Sequence, residues 1–220
     1  IVHFVDRIPT QPQAEFEAVI DASRRELIKN NHSATHLLHS ALRQVLGDHV
    51  QQKGSLVSDK ILRFDFSHFA KVEQEQIEEI ERTVNDHIRQ NIKLNEQRNV
   101  PIEEAKKLGA TALFGEKYGE FVRVITFDPS YSVELCGGTH VAATGQIGMF
   151  KITSEGAVAA GVRRIEAVSG PKAFDLVQEQ DKLLKEIKEM LKSPKDVAKA
   201  ISSLMEERNW KLYMPSNRVN

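Results

Sequence analysis

In Cys136-Gly137-Gly138-Thr139-His140 a thiol and an imidazole stand four positions apart across a pair of glycines. Glycine lets the backbone turn tightly where a side chain would clash. Alone, this pair is weak, since a single Cys is usually a small buried apolar residue. A second pair stands far upstream, His32 and His36 within Asn31-His32-Ser33-Ala34-Thr35-His36. On a helix, positions i and i+4 project from one face, so the two imidazoles can hold one ion. Cys136 and His140 can close its other side, giving a His, His, Cys, His set of the kind zinc prefers. His39, one turn further along, and His49 and His68 read as bystanders.

The segments around these residues predict how they are carried. Over 23–46, Leu27, Leu37, Leu38, Ala41, Leu42 and Val45 recur at three- and four-residue steps, and Gly47 is a stop. This helix holds His32 and His36 one turn apart. Residues 49–57 and 60–66 read as a hairpin turning at Ser58-Asp59. A long helix is expected over 72–98, striped by Val72, Ile77, Ile80, Val84, Ile88 and Ile92. Pro101 then opens a short helix ending near Gly109. Strands over 121–127 and 131–135 deliver Cys136 at a strand end. Further strands are expected over 149–153 and 162–168, joined by a small-residue loop over 157–161. The fold class is therefore α+β, an antiparallel sheet packed with helices.

The two ends differ from this middle. Residues 1–6 and 16–21 are strand-like, interrupted by Pro9 and Pro12. Two strands cannot stand alone, so 1–22 reads as a piece of a truncated sheet or barrel. The chain begins at Ile1 in mid-pattern and reads as a fragment. After Gly170-Pro171, residues 171–220 change character. Phe174, Leu176, Val177, Leu183, Leu184, Ile187, Met190 and Leu191 suit a helix that seeks a partner surface. Ser193-Pro194 breaks it, and Ser193 could cap a second helix ending near Arg208.

Composition bounds the function. A chain of 220 residues can bury a real core in one or two domains. The formal net charge is −1, so any contact with nucleic acid must come from a local patch. One Cys excludes an internal disulfide and suits an intracellular metal site. No apolar run approaches the ~20 residues that span a membrane, and no stretch reads as a secretory leader.

Six motifs in order make the chain resemble the editing half of alanyl-tRNA synthetases and the related free-standing alanyl-tRNA editing proteins. They are Asn31-His32-Ser33-Ala34-Thr35-His36, Gln52-Lys53-Gly54-Ser55, Leu62-Arg63-Phe64-Asp65-Phe66, Phe114-Gly115-Glu116-Lys117-Tyr118, Glu134-Leu135-Cys136-Gly137-Gly138-Thr139-His140 and Gly161-Val162-Arg163-Arg164-Ile165-Glu166-Ala167. The resemblance covers about residues 2–170, and the synthetase is the closer of the two.

It implies a fold of the threonyl/alanyl-tRNA synthetase second-additional-domain type over 23–170, with a β-barrel remnant over 1–22. Residues 171–220 would be a helical connection towards an absent C-terminal domain. It implies one Zn2+ per chain on His32, His36, Cys136 and His140, and hydrolysis of mischarged seryl-tRNA(Ala) and glycyl-tRNA(Ala) in the cytoplasm. ATP and Mg2+ would serve only the parent ligase's activating domain, which is not in this chain. Gln52 matches a position tied to editing. Thr35 either lines the site or bonds the helix backbone. Arg163 and Lys53 are the candidate contacts to the tRNA(Ala) acceptor end, with Lys117 an alternative. Ser33 stands where a zinc peptidase carries its Glu base, which disfavours a peptidase. The rival readings are a free-standing trans-editing hydrolase and a zinc-stabilised RNA-binding module without catalysis. The C-terminal helices could pair with another copy.

Overall fold

The computed structural model describes residues 4–112, 118–192 and 194–213, with side chains through Glu207. Helix α1 (Ala22–Leu46) forms where the leucine periodicity places it. The Asp21 side chain accepts the Arg24 N–H at 2.9 Å and fixes its start. At its end Gly47, at φ 114°, returns an N–H to the Arg43 carbonyl. Two hairpin strands follow, β1 (Gln52–Val57) and β2 (Leu62–Ser67), then α2 (Gln74–Arg89).

Three shorter pieces come next: β3 (Asn95–Pro101), α3 (Ile102–Lys107) and β4 (Phe121–Asp128). Strand β5 (Ser132–Leu135) leads into the loop over 136–140. A single 3-10 turn (Thr144–Ile147) then precedes β6 (Phe150–Ala159) and β7 (Val162–Ser169). The chain continues into α4 (Pro171–Met190) and α5 (Val197–Tyr213).

The strands build two antiparallel sheets, one in the order β1-β2-β7-β6 and one in the order β3-β4-β5. The α+β expectation holds. Strand β2 lies inside the larger sheet, and its Leu62, Phe64 and Phe66 are fully buried. They meet Leu37, Leu38 and Leu42 of α1 and Ile80, Val84 and Ile88 of α2 in one core. Removing either phenylalanine ring would cost about 3–5 kcal/mol. Strand β4 feeds two cores by simple alternation. Ile125 and Phe127 join the main one, while Val122 and Val124 face a smaller one with Ala105 and Leu135. No helix among the described residues is long and apolar enough to cross a membrane.

Several expectations need correction. Residues 4–20 form no strand, and Phe4, Ile8, Phe16 and Val19 are exposed. A strand needs a neighbour's edge for its backbone groups, and none is offered there; residues 1–3 lie outside the described set. Helix α2 stops at Arg89 although its stripe runs on to Ile92. Asn91 adopts φ 50°, a left-handed conformation that ends helices, and the chain continues as β3.

The expected loop over 157–161 is mostly strand. Strand β6 pairs with β7 as far as Ala159, across two register shifts. Ser193 lies outside the described residues. The first turn of α5 is capped instead by Asp196, which accepts the Lys199 N–H at 3.0 Å. That helix also runs past Arg208, to Tyr213.

Candidate metal centre

Helix α1 and the loop after β5 bring His32, His36, Cys136 and His140 together. Their candidate donor atoms all lie within 4.8 Å of one another. Nε2 of His32 is 3.5 Å from Cys136 Sγ, and Nε2 of His140 is 3.4 Å from it. A tetrahedral zinc with bonds of about 2.0–2.3 Å sets neighbouring ligand atoms roughly 3.3–3.8 Å apart. The cluster could therefore bind a metal ion.

The other ring nitrogens support that use. His32 Nδ1 lies 3.2 Å from the Thr139 carbonyl oxygen, an acceptor, so the proton belongs on Nδ1 and Nε2 keeps its lone pair. His140 Nδ1 lies 3.3 Å from Ser33 Oγ, which also accepts the Val141 N–H at 3.1 Å. His36 Nδ1 lies 3.3 Å from Glu134 Oε2, and His39 Nδ1 is 3.0 Å from Oε1 of the same carboxylate.

Burial holds the His32 ring below the ordinary imidazole value. Burial, then the neighbouring rings of His140 and His32, holds His36 well below it. His140 is brought to about 3, first by burial and then by His32. Neutral imidazole is the form that ligates a metal.

The loop is shaped for this cluster. A Cβ on Gly138 would lie 2.1 Å from His32 Cε1, so only glycine lets the loop approach the ring. That close approach, rather than a special backbone conformation, is what the second glycine supplies; Gly137 faces open space. Arg123 clamps the loop by donating Nη1 to the carbonyls of Cys136 at 2.9 Å and Gly138 at 2.5 Å. Its Nε donates to Glu96 at 2.9 Å. Glu96 is held near 2, first by that hydrogen bond and then by one from Arg98.

The remaining candidates fall elsewhere. Thr35 is buried, and its hydroxyl donates to the Asn31 carbonyl at 2.8 Å, the backbone alternative. Gln52 donates to Ser55 Oγ at 3.3 Å. It lines a cavity with His39, Arg43, Asp48, Val50 and Thr111, and none of the four clustered residues lines it. Arg163 is held by both carboxylate oxygens of Glu155 at 2.6 Å. Arg164 is held by Asp65 at 2.7 and 2.8 Å. The two arginines do face opposite ways, and each has a carboxylate. Lys53 is exposed, with Nζ 3.4 Å from Gln51 Oε1. Lys117 lies outside the described residues, as does most of the motif over 114–118.

Sequence reading set His39 aside as a bystander and gave Arg123 and Glu134 no role beside the cluster. His39 carried a signal, its position three residues after His36 on the same helix face, and Glu134 carried one, its place at the head of the Cys136 motif.

Comparison with known proteins gives consistent matches. The family described as "Threonyl and Alanyl tRNA synthetase second additional domain" matches residues 122–166. An alanine–tRNA ligase of Cytophaga hutchinsonii is 60% identical over 208 residues, covering 94% of this chain and 24% of that protein. One of Salinibacter ruber is 53% identical over 210 residues, covering 95% and 22% respectively. One of Bacteroides thetaiotaomicron is 54% identical over 206 residues, covering 94% and 23%. The chain thus spans about a quarter of the length of these curated relatives.

Proposed function

The chain corresponds to a segment of alanine–tRNA ligases that carries their second additional domain, and we propose that it performs an editing step on mischarged tRNA(Ala). The reaction is hydrolysis of the aminoacyl ester in seryl-tRNA(Ala) and glycyl-tRNA(Ala). Water adds to the ester carbonyl, the bond to the ribose oxygen breaks, and that oxygen leaves with a proton. The need is physical. A synthetic pocket for alanine rejects glycine poorly, since one methyl is worth only about 1–3 kcal/mol, and rejects an added hydroxyl weakly. A second site can apply the opposite test.

The observation that carries the reading is the buried cluster of three imidazoles and one thiol, set in a segment with this match. One zinc per chain would sit on His32, His36, Cys136 and His140. When bound, it would fix helix α1 and the 136–140 loop against each other beside the substrate, and four protein ligands would leave no open position for water. Helix α1 and the 136–140 loop would orient the aminoacyl end. Gln52 offers an amide that both donates and accepts, suited to the serine hydroxyl. Thr35, its hydroxyl committed to the helix backbone, would act as a wall.

The neighbouring ribose hydroxyl, rather than a side-chain base, is assigned the proton transfer. Arg163 and Lys53 would contact the acceptor end, Arg163 by exchanging the Glu155 carboxylate for phosphate. On this reading the work is cytoplasmic, and ATP with Mg2+ belongs to the ligase's activating domain.

The test is deacylation of seryl-, glycyl- and alanyl-tRNA(Ala) by the purified chain, with Gln52→His alongside. The first two esters should be cleaved, the alanyl ester spared, and Gln52→His should impair cleavage with the fold intact. Salt-sensitive binding of tRNA with no cleavage would replace the enzyme reading with an RNA-binding module.

A further inference from the structure

We infer that Glu134 is a positioning residue for the metal centre: it fixes the ring of His36 from behind and supplies the negative charge that balances a divalent ion. The inference rests on the zinc reading above and extends it to a residue that does not ligate.

Three observations carry it. The first is placement. Glu134 lies two positions before Cys136, on one face of an extended segment, so the strand end that delivers the thiol also aims the carboxylate at α1. The second is engagement of both oxygens. Oε2 lies 3.3 Å from His36 Nδ1, and Oε1 lies 3.0 Å from His39 Nδ1. His36 Nδ1 is buried and makes no hydrogen bond among the described residues, and the Glu134 carboxylate, 3.3 Å away but not aligned for one, is an acceptor within reach. A proton held on Nδ1 leaves the Nε2 lone pair for the ion. His39, which is not a ligand, holds the far oxygen and keeps the carboxylate from rotating away.

The third observation is charge. The Glu134 side chain is only 8% exposed, and its carboxylate lies against the rings of His36 and His39, the first of them neutral. A buried carboxylate is costly unless a positive charge stands nearby. A divalent ion with three neutral imidazoles and one thiolate carries a net charge of +1. One carboxylate beside it brings the centre to zero. The structure thus offers the buried acid a natural counter-charge, and offers the ion a neutral cage.

The test is zinc affinity of the full chain by competition with a chromophoric chelator, together with nitrogen-resolved NMR of the imidazoles. Wild type should bind one zinc per chain. Glu134→Gln, nearly the same shape, should bind it about 10–100-fold more weakly, and His39→Gln should lose less. In zinc-loaded wild type, His36 should keep its proton on Nδ1, slowly exchanging, with the metal on Nε2. A purely structural Glu134 would leave that signature unmoved in the variant. If wild type binds no zinc, the metal reading falls and this inference with it. If wild type binds and Glu134→Gln binds equally, this inference alone falls. Should the variant fail to fold, the wild-type spectrum still decides: metal on Nδ1 of His36, or a freely exchanging Nδ1 proton, overturns it.

Discussion

Gly138 and the buried imidazoles show how much rests on single side chains. In Gly138→Ala the new methyl would lie 2.1 Å from His32 Cε1, so either the ring or the loop must move. A ring displaced by an ångström no longer fits a metal shell whose bonds tolerate about 0.2 Å. Zinc binding should weaken by roughly tenfold or more, by the scale of disturbed ligand support, while circular dichroism stays near wild type. Undiminished affinity would show that the loop yields freely.

The same rings set the acid response of the metal-free chain. His32, His36 and His140 all have folded-state values below the ordinary 6.5, chiefly through burial. The unfolded chain therefore binds more protons as pH falls below about 6.5, and the folded state loses stability down towards the His140 value of about 3. Carboxylates titrate lower, so the window from pH 7 to 5 isolates the histidines. Denaturant midpoints measured in chelator should drop across that window. A flat or rising midpoint would contradict the sign.

At the scale of elements, the larger sheet is bolted by pairs that its strand register creates. Asp65 and Arg164 stand directly opposite on β2 and β7, and the guanidinium donates to both carboxylate oxygens. These hydrogen bonds hold the Asp65 carboxyl below its usual range. Asp65→Asn should cost about 1–3 kcal/mol, the worth of hydrogen bonds to a charged group, read as a lower urea midpoint with unchanged slope. An unchanged midpoint would mean solvent serves Arg164 equally well.

Local pattern made some of this visible beforehand. The His32–His36 face, the hairpin turn at Ser58-Asp59 and the strand end before Cys136 all follow from spacings within a few residues. What stayed hidden depends on distant partners. Arg123 reads as an ordinary strand cation until the loop carbonyls appear beside it. Arg163 looked available for phosphate because nothing local reveals Glu155 across the ladder. The end of α2 is overrun because Ile92 keeps the helical beat while packing on the core from beyond the turn at 90–91. Residues 1–6 and 16–21 read like strands, yet 4–20 have no neighbouring strand to join.

For the molecule as a whole, the contrast lies between a dense middle and a bare tail. Ala173 is the only buried residue of α4, while Phe174, Leu183, Leu184 and Met190 are exposed. Such a stripe is expected to find a partner, and a second copy is the nearest one. Light scattering should show mass rising with concentration, and Leu183→Glu should hold the chain monomeric. A monomer mass at every concentration would leave the stripe without that role.

The sheet order carries a different consequence, one of timing. Asp65 and Arg164 are 99 positions apart, yet their strands are immediate neighbours. A ribosome adding about 5–20 residues per second needs roughly 5–20 s between releasing one and the other. For that interval the β1–β2 hairpin waits with one edge unpaired, and Leu62, Phe64 and Phe66 lack the strand that will flank them. A nascent chain in this state is open to pairing with the wrong edge, including that of an identical chain on the next ribosome. The mature protein hides β2 in the middle of its sheet, but the growing one must carry it exposed until β7 arrives.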